Sequence, residues 1–308
     1  MLLYVLIITV SVLVAAYVAM RIGYDKVFIN KQKDIINKLS APDKKQYARY
    51  AKEVKDEYDR AESIAYENVY INSYDKKRLH AKYYRKDGAS CAVILVHGYK
   101  STALRDLCFA LNFLHNINVN ILLIDLRGHG LSDGKTLTMG VKESRDIAVW
   151  TQWLKDCGNE KIILFGISMG AAASLMSLKY CSVDGVIADC PFSSALSAFE
   201  FNAKKHNASK FSVRLLSMAA IVCGGFSIKN ADACEAIKGK ETPILLIYGK
   251  NDSVVSPSEK NKIAGSASSC KTVLFDAGHA VSYYSDSERY KKETFDFIAE
   301  TFGNDVMS

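Results

Sequence analysis

Residues 161–175 read Lys-Ile-Ile-Leu-Phe-Gly166-Ile167-Ser168-Met169-Gly170-Ala-Ala-Ala-Ser-Leu. A short apolar run with β-branched residues predicts a buried strand over Lys161–Phe165. The alanine-rich stretch after Gly170 predicts a helix. Between them stands Gly-x-Ser-x-Gly, the pattern that turns a chain from strand to helix so sharply that the residues two either side of the serine must be small. Gly166 and Gly170 are therefore read as structural residues of this elbow. Ser168 is read as a nucleophile, held at a helix amino terminus where the dipole favours developing negative charge. The pattern alone is common in turns, and the strand before and helix after are what give it meaning.

Outward from this turn the chain alternates. Apolar runs at Ala92–Val96, Val119–Ile124, Val183–Ala188, Ile244–Tyr248 and Thr272–Phe275 flank helical patterns near 102–116, 141–156, 169–180, 256–266 and 285–302. Continuous apolar strands separated by helices predict a mostly parallel sheet with helices on both faces. Asn68–Ser73 and Arg78–Tyr84 alternate around Tyr74-Asp75-Lys76-Lys77 and predict an antiparallel hairpin at one edge. The rhythm breaks once, at 191–242. Phe211–Gly225 reads there as an extra helix of a small cap-like insertion over the carboxyl ends of the strands.

A serine at its ordinary pKa needs a base within hydrogen-bond reach. His279 is the candidate, in Asp276-Ala277-Gly278-His279 after the last strand. His80, His115 and His206 lie in a hairpin, a helix and the insertion, and read as structural or solvated. The base needs an acid to fix its tautomer. Asp252 follows the strand Ile244–Tyr248 and gives the order Ser, Asp, His. Asp276 is a rival, placed awkwardly three residues before the histidine. Two N–H groups are expected to hold an oxyanion: Met169, after the nucleophile, and Tyr99, in His97-Gly98-Tyr99-Lys100-Ser101 after the strand Ala92–Val96. His97 is then a structural loop residue.

These motifs together (VILVHGY, LLIDLRGHGLSDG, FGISMG, ILLIYGKND and DAGH) resemble the α/β-hydrolase superfamily over about residues 66–302. More closely, the chain is similar to membrane-tethered bacterial serine hydrolases of the esterase/lipase type, often described as exported or uncharacterised. The resemblance implies an eight-stranded sheet, a serine triad, no cofactor and ester or related acyl substrates. It also implies that Asp125–Gly130, with His129, is a structural loop.

Two other chemistries fit poorly. Gly130–Thr136 ends like a phosphate-binding loop, but His129 stands where the first glycine is required and no strand leads in. No pair of ligand residues is spaced for a metal site, and the eight cysteines include no Cys-x-x-Cys. They are read as unpaired thiols, which favours a reducing compartment. The 40 basic and 33 acidic residues give a net charge of +7, spread along the chain without a basic stripe. Nucleic acid is therefore not an expected partner.

Leu2–Met20 carries no charge over 19 residues, which at 1.5 Å per residue nearly crosses a bilayer core of about 30 Å. No basic residue precedes it and it exceeds a usual signal h-region, so an anchor is favoured over a cleaved signal peptide. Arg21, Lys26, Lys31, Lys33, Lys38, Lys44 and Lys45 follow, which points the remaining chain toward the cytoplasm.

The expected organisation is a single-pass anchor (1–21), a charged helical stalk packing one face on the domain (22–65), and a catalytic domain (66–308). Ser40 or Asp43 is expected to cap the second stalk helix. The anchor and the apolar insertion favour a carboxylic ester, including lipid-derived ones. The same triad would serve a peptidase or thioesterase, and a non-catalytic binding protein on the fold is the alternative of another class. A chain lacking 1–24 is expected to keep activity on soluble esters. The sequence leaves the oligomeric state open.

Overall fold

A computed structural model describes residues 1–31 and 47–307. The chain opens with helix α1 (Leu2–Phe28), which has no break at residue 21. Helix α2 (Ala51–Glu62) follows, and then β1 (Glu67–Asn72) and β2 (Arg78–Tyr84). The alternating part runs β3 (Cys91–Val96), α3 (Ala103–Leu114), β4 (Asn120–Asp125), α4 (Glu143–Asp156), β5 (Lys161–Ile167), α5 (Met169–Ser177) and β6 (Gly185–Asp189). The insertion holds α6 (Ala195–Lys205), α7 (Lys210–Gly224) and α8 (Ala233–Ile237). The chain ends with β7 (Ile244–Gly249), α9 (Glu259–Ser266), β8 (Cys270–Phe275), α10 (Ser282–Ser285) and α11 (Ser287–Phe302). The expected caps Ser40 and Asp43 lie outside the described residues, as do Lys33, Lys38, Lys44 and Lys45.

The sheet has eight strands in the order β1-β2-β4-β3-β5-β6-β7-β8. It is mixed: the β1–β2 and β2–β4 pairs are antiparallel, and β3 through β8 run parallel. β3, β6 and β7 are buried at every position, which explains their unbroken apolar sequences. β8, at the edge, is partly exposed and begins with Cys270 and Lys271, so its start falls before the apolar run.

A buried polar set ties the hairpin to this frame. Arg127, 2% exposed, donates two bonds to Asp146 of α4, both at 2.6 Å, and two to Asp75 of the hairpin turn at 3.0 and 3.1 Å. This bidentate geometry suits a planar guanidinium and would be lost with lysine.

The described parts of the segment read as a stalk are docked on the domain. In α2, buried Glu57 accepts bonds from Asn112 Nδ2 of α3 (2.5 Å) and the Tyr283 hydroxyl of α10 (2.9 Å). The last two turns of α1 enter the domain core. Tyr24 is 2% exposed and Phe28 fully buried, with the Phe28 ring packed edge-on against Phe199 and Phe226 of the insertion. The Phe28 carbonyl accepts from Leu137 N–H at 2.7 Å, and Asn30 N–H donates to the Lys135 carbonyl at 2.8 Å.

A cut at residue 24 therefore removes a core tyrosine along with the apolar run. Phe28→Ala is expected to destabilise the domain by about 3–5 kcal/mol, the usual range for a buried phenylalanine. Thermal unfolding in detergent checks this; an unchanged midpoint would mean that α1 is only tethered to the domain.

Candidate active site

The turn from β5 into α5 is made by one residue, Ser168, between Ile167 and Met169. Ser168 adopts φ 55°, ψ −116°, a conformation that side-chain-bearing residues rarely take, and it is held by its N–H bond to the Asp189 carbonyl (2.8 Å). A Cβ on Gly166 would lie 2.5 Å from the Gly170 carbonyl oxygen, and one on Gly170 would lie 2.2 Å from that of Val96. Both positions exclude every residue with a side chain, for the steric reason that the sequence pattern implies. Strain of this kind collects at functional sites. Lys100, Cys190 and Ala280 also have positive φ: Lys100 lies in the loop after β3, Cys190 directly follows β6, and Ala280 directly follows His279.

Three side chains from separate loops meet here. His279 Nε2 lies 2.9 Å from Ser168 Oγ, and His279 Nδ1 lies 2.7 Å from Asp252 Oδ2. Asp252 and His279 are buried and Ser168 is half-buried. The other Asp252 oxygen accepts from the N–H groups of Val254 (2.8 Å) and Val255 (2.9 Å), which leaves Oδ2 aimed at the ring. The rival Asp276 is exposed and accepts instead from Asn251 Nδ2 at 2.8 Å. β7 brings its end against the histidine loop through Gly249, where a Cβ would stand 2.3 Å from the Ala277 carbonyl oxygen.

The loop after β3 borders the serine: a Cβ on Gly98 would lie 3.5 Å from Ser168 Cβ. Asp106 of α3 fixes that loop by accepting from Gly98 N–H (2.8 Å) and the Ser101 hydroxyl (2.5 Å). Tyr99 thus stands in the loop beside Ser168. Met169 opens α5, and its N–H is among those that no carbonyl within the helix can satisfy. The Tyr99 hydroxyl donates to the Val27 carbonyl, and Lys100 Nζ to that of Lys26 at 2.8 Å. The loop is thereby fastened to the carboxyl end of α1, where helix carbonyls lack intrahelical partners.

The remaining histidines are placed otherwise. His97 receives the Leu126 N–H at Nε2 (3.1 Å) and reaches the Gly98 carbonyl through Nδ1 (2.9 Å). His80 bridges Asp125 and Asn68, each at 2.7 Å. His129 contacts the Arg127 carbonyl through Nδ1 at 3.1 Å. Burial, reinforced by the neighbouring His97, pushes His129 down from 6.5 to about 3.

Because the native state refuses a proton that the unfolded chain accepts, this histidine costs no stability above pH 6.5. The loss grows as pH falls from there toward 3. Between pH 7 and 5, His129→Gln is expected to lose less stability than the parent chain, by up to about 2 kcal/mol. Urea unfolding of both chains at the two pH values tests this, and parallel losses would refute it.

Sequence reading missed two residues at the end of β6. Cys190 Sγ lies 3.9 Å from His279 Nε2. Asp189 is wholly buried, accepts from the Tyr290 hydroxyl at 2.9 Å, and is pushed up to about 7, chiefly by burial. The available signal was a carboxylate closing an apolar strand, Gly185–Asp189, next to the strand that carries the elbow.

Among the described residues, Cys190, Asp252 and His279 also lie close enough to share a metal ion. That set suits a metal poorly: burial drives the thiol well above its usual range, disfavouring the thiolate a metal requires. Asp252 and His279 already satisfy each other. The arrangement suits proton transfer between Ser168 and His279, with Asp252 orienting the ring.

The model of the alpha/beta hydrolase family matches residues 93–293. The uncharacterized protein YqkD of Bacillus subtilis is 26% identical over 306 residues, covering 95% of this chain and 96% of its own. An uncharacterized membrane protein of Saccharomyces cerevisiae is 22% identical over 75% of this chain and 78% of its own. Among solved structures, the Pyrococcus furiosus esterase Pf2001 superposes with a TM-score of 0.63 at 24% identity, covering 78% of this chain and 92% of the esterase. An alpha-beta hydrolase from Vibrio vulnificus gives 0.63 at 20% identity, over 91% and 92%.

Proposed function

Because the chain belongs to the alpha/beta hydrolase family, we propose that it is a membrane-anchored serine hydrolase that cleaves carboxylic esters through an acyl-enzyme on Ser168. The observation that carries this reading is the continuous hydrogen-bonded line from Ser168 Oγ through both nitrogens of His279 to Asp252. Ser168 Oγ attacks the ester carbonyl carbon as its proton passes to His279 Nε2. Asp252 holds the ring by Nδ1 and stabilises the imidazolium. The N–H groups of Met169 and Tyr99 receive the oxyanion. Collapse of the tetrahedral species releases the alcohol, which takes the proton from Nε2. Water then attacks the acyl-serine with His279 as base, returning the free serine and a carboxylic acid.

Membrane attachment is part of the reading. α1 is long and apolar enough to cross a bilayer, and its first eighteen residues stand clear of the domain. Arg21, Lys26 and Lys31 follow the uncharged run, which favours a catalytic domain on the cytoplasmic side. An ester that partitions into the bilayer fits a domain docked at the end of such a helix.

The test is to treat the full chain with a fluorophosphonate and map the adduct. Modification at Ser168, lost after heat unfolding, supports the reading. A folded chain that is unmodified, or modified at another residue, overturns it.

A further inference from the structure

Helix α7 belongs to the insertion and takes no part in the triad. Its two sides differ in a way that the active site does not explain. Val213, Ala219 and Ala220 are buried against the domain. On the opposite side Phe211, Met218, Ile221 and Val222 are 69%, 54%, 55% and 57% exposed. At 3.6 residues per turn these four fall on one stripe about 100° wide. Large apolar side chains grouped in this way mark a binding surface rather than ordinary surface scatter.

Two further observations name the partner. Residues 201–231 contain no Asp or Glu, yet carry Lys204, Lys205, Lys210, Arg214 and Lys229. At the amino-terminal end of α7, Lys210 borders the apolar stripe and exposed Arg214 falls within its arc. An apolar face edged with cations fits the interface of a bilayer containing anionic lipid. It fits a second copy of the chain poorly, since the same cations would face one another.

The other observation is position. The carboxyl end of α7 touches α1 at Tyr24, so closely that a Cβ on Gly224 would lie 2.6 Å from that ring. Tyr24 is four residues past the uncharged run Leu2–Met20, or about 6 Å along the helix. If α1 spans the bilayer, this contact lies at headgroup depth, where the interfacial layer on each side is several ångströms thick.

We propose that α7 is a second membrane contact, seated in the anionic interface with Phe211, Met218, Ile221 and Val222 in the acyl-chain boundary. This rests on α1 being a span and is independent of the hydrolase chemistry. Together the two helices fix the orientation of the domain. A single span leaves the tilt of helix and domain in the bilayer free, whereas span and cap together hold the insertion against the lipid.

The experiment uses the full chain in nanodiscs of phosphatidylcholine and phosphatidylglycerol, doped with phosphatidylcholine bearing a diazirine on its acyl chain. Photolysis and peptide mapping are expected to give lipid adducts on both α1 and 211–222. Replacing phosphatidylglycerol by phosphatidylcholine is expected to lower the α7 adduct several-fold and leave that of α1 unchanged. The double variant Ile221→Glu, Val222→Glu changes only exposed positions. It should lose most α7 labelling while keeping the parent melting temperature and the α1 adduct. Adducts on α1 with none on α7 overturn the proposal, and chain-to-chain cross-links through α7 would assign the face to a second copy. Absence of adducts on α1 refutes the span itself, a failure distinct from that of the α7 contact.

Discussion

Replacing Ser168 by alanine is expected to abolish fluorophosphonate labelling and lower kcat for ester hydrolysis by about 10⁶-fold, the scale seen when a serine nucleophile is removed. The loss is large because the remaining groups cannot substitute. His279 would retain its bond to Asp252 but have no hydroxyl to activate, and the N–H groups near the elbow would stabilise only attack by water. Folding should be unaffected, since Ser168 is held in its strained conformation through its backbone N–H and the Asp189 carbonyl. Alanine at this φ meets the same steric demand as serine. Circular dichroism and melting temperature should therefore match the parent chain. Turnover and labelling that persist in the variant would place the nucleophile elsewhere.

The serine is legible in sequence because three independent constraints coincide over ten residues: a buried strand, two positions that admit only glycine, and a helix that begins at once. The interior strands are legible for a related reason. A parallel strand covered on both faces is apolar at every position, and β3, β6 and β7 meet that condition. Where one condition lapses, the boundary drifts. β8 is an edge strand, and its first residues Cys270 and Lys271 pair with Ile244 and Leu245 although nothing apolar marks them.

The course of α1 past residue 21 is hidden by a different effect. Charge at Arg21 ends the apolar run, but helix hydrogen bonds do not depend on the surroundings, so the helix continues into the domain. Tyr24 and Phe28, four residues apart on one helix face, were the clue to a new buried surface. Contacts such as Cys190 with His279, or Glu57 with Tyr283, join residues 89 and 226 positions apart. They depend on the closed sheet and leave no local pattern.

The choice between the two carboxylates shows how geometry adds to chain order. Asp252→Asn is expected to lower kcat by about 10⁴-fold with little effect on folding, as in the chymotrypsin-type case where the acid is made an amide. The amide can still occupy the site, yet its NH₂ cannot accept from Nδ1–H and favours the wrong tautomer of His279. Nε2 would then carry the proton and could not take one from Ser168. Asp276→Asn is expected to change kcat less than about threefold, because that carboxylate is exposed and paired with Asn251 rather than with His279. The pH profile separates orientation from simple structural damage. Loss of the acid should shift the dependence of kcat/KM on the free-enzyme base, whereas a loosened loop would raise KM and leave that profile in place. A severe Asp276→Asn together with a mild Asp252→Asn would transfer the role of the acid to Asp276, and the 2.7 Å contact between Asp252 and His279 would then be structural only.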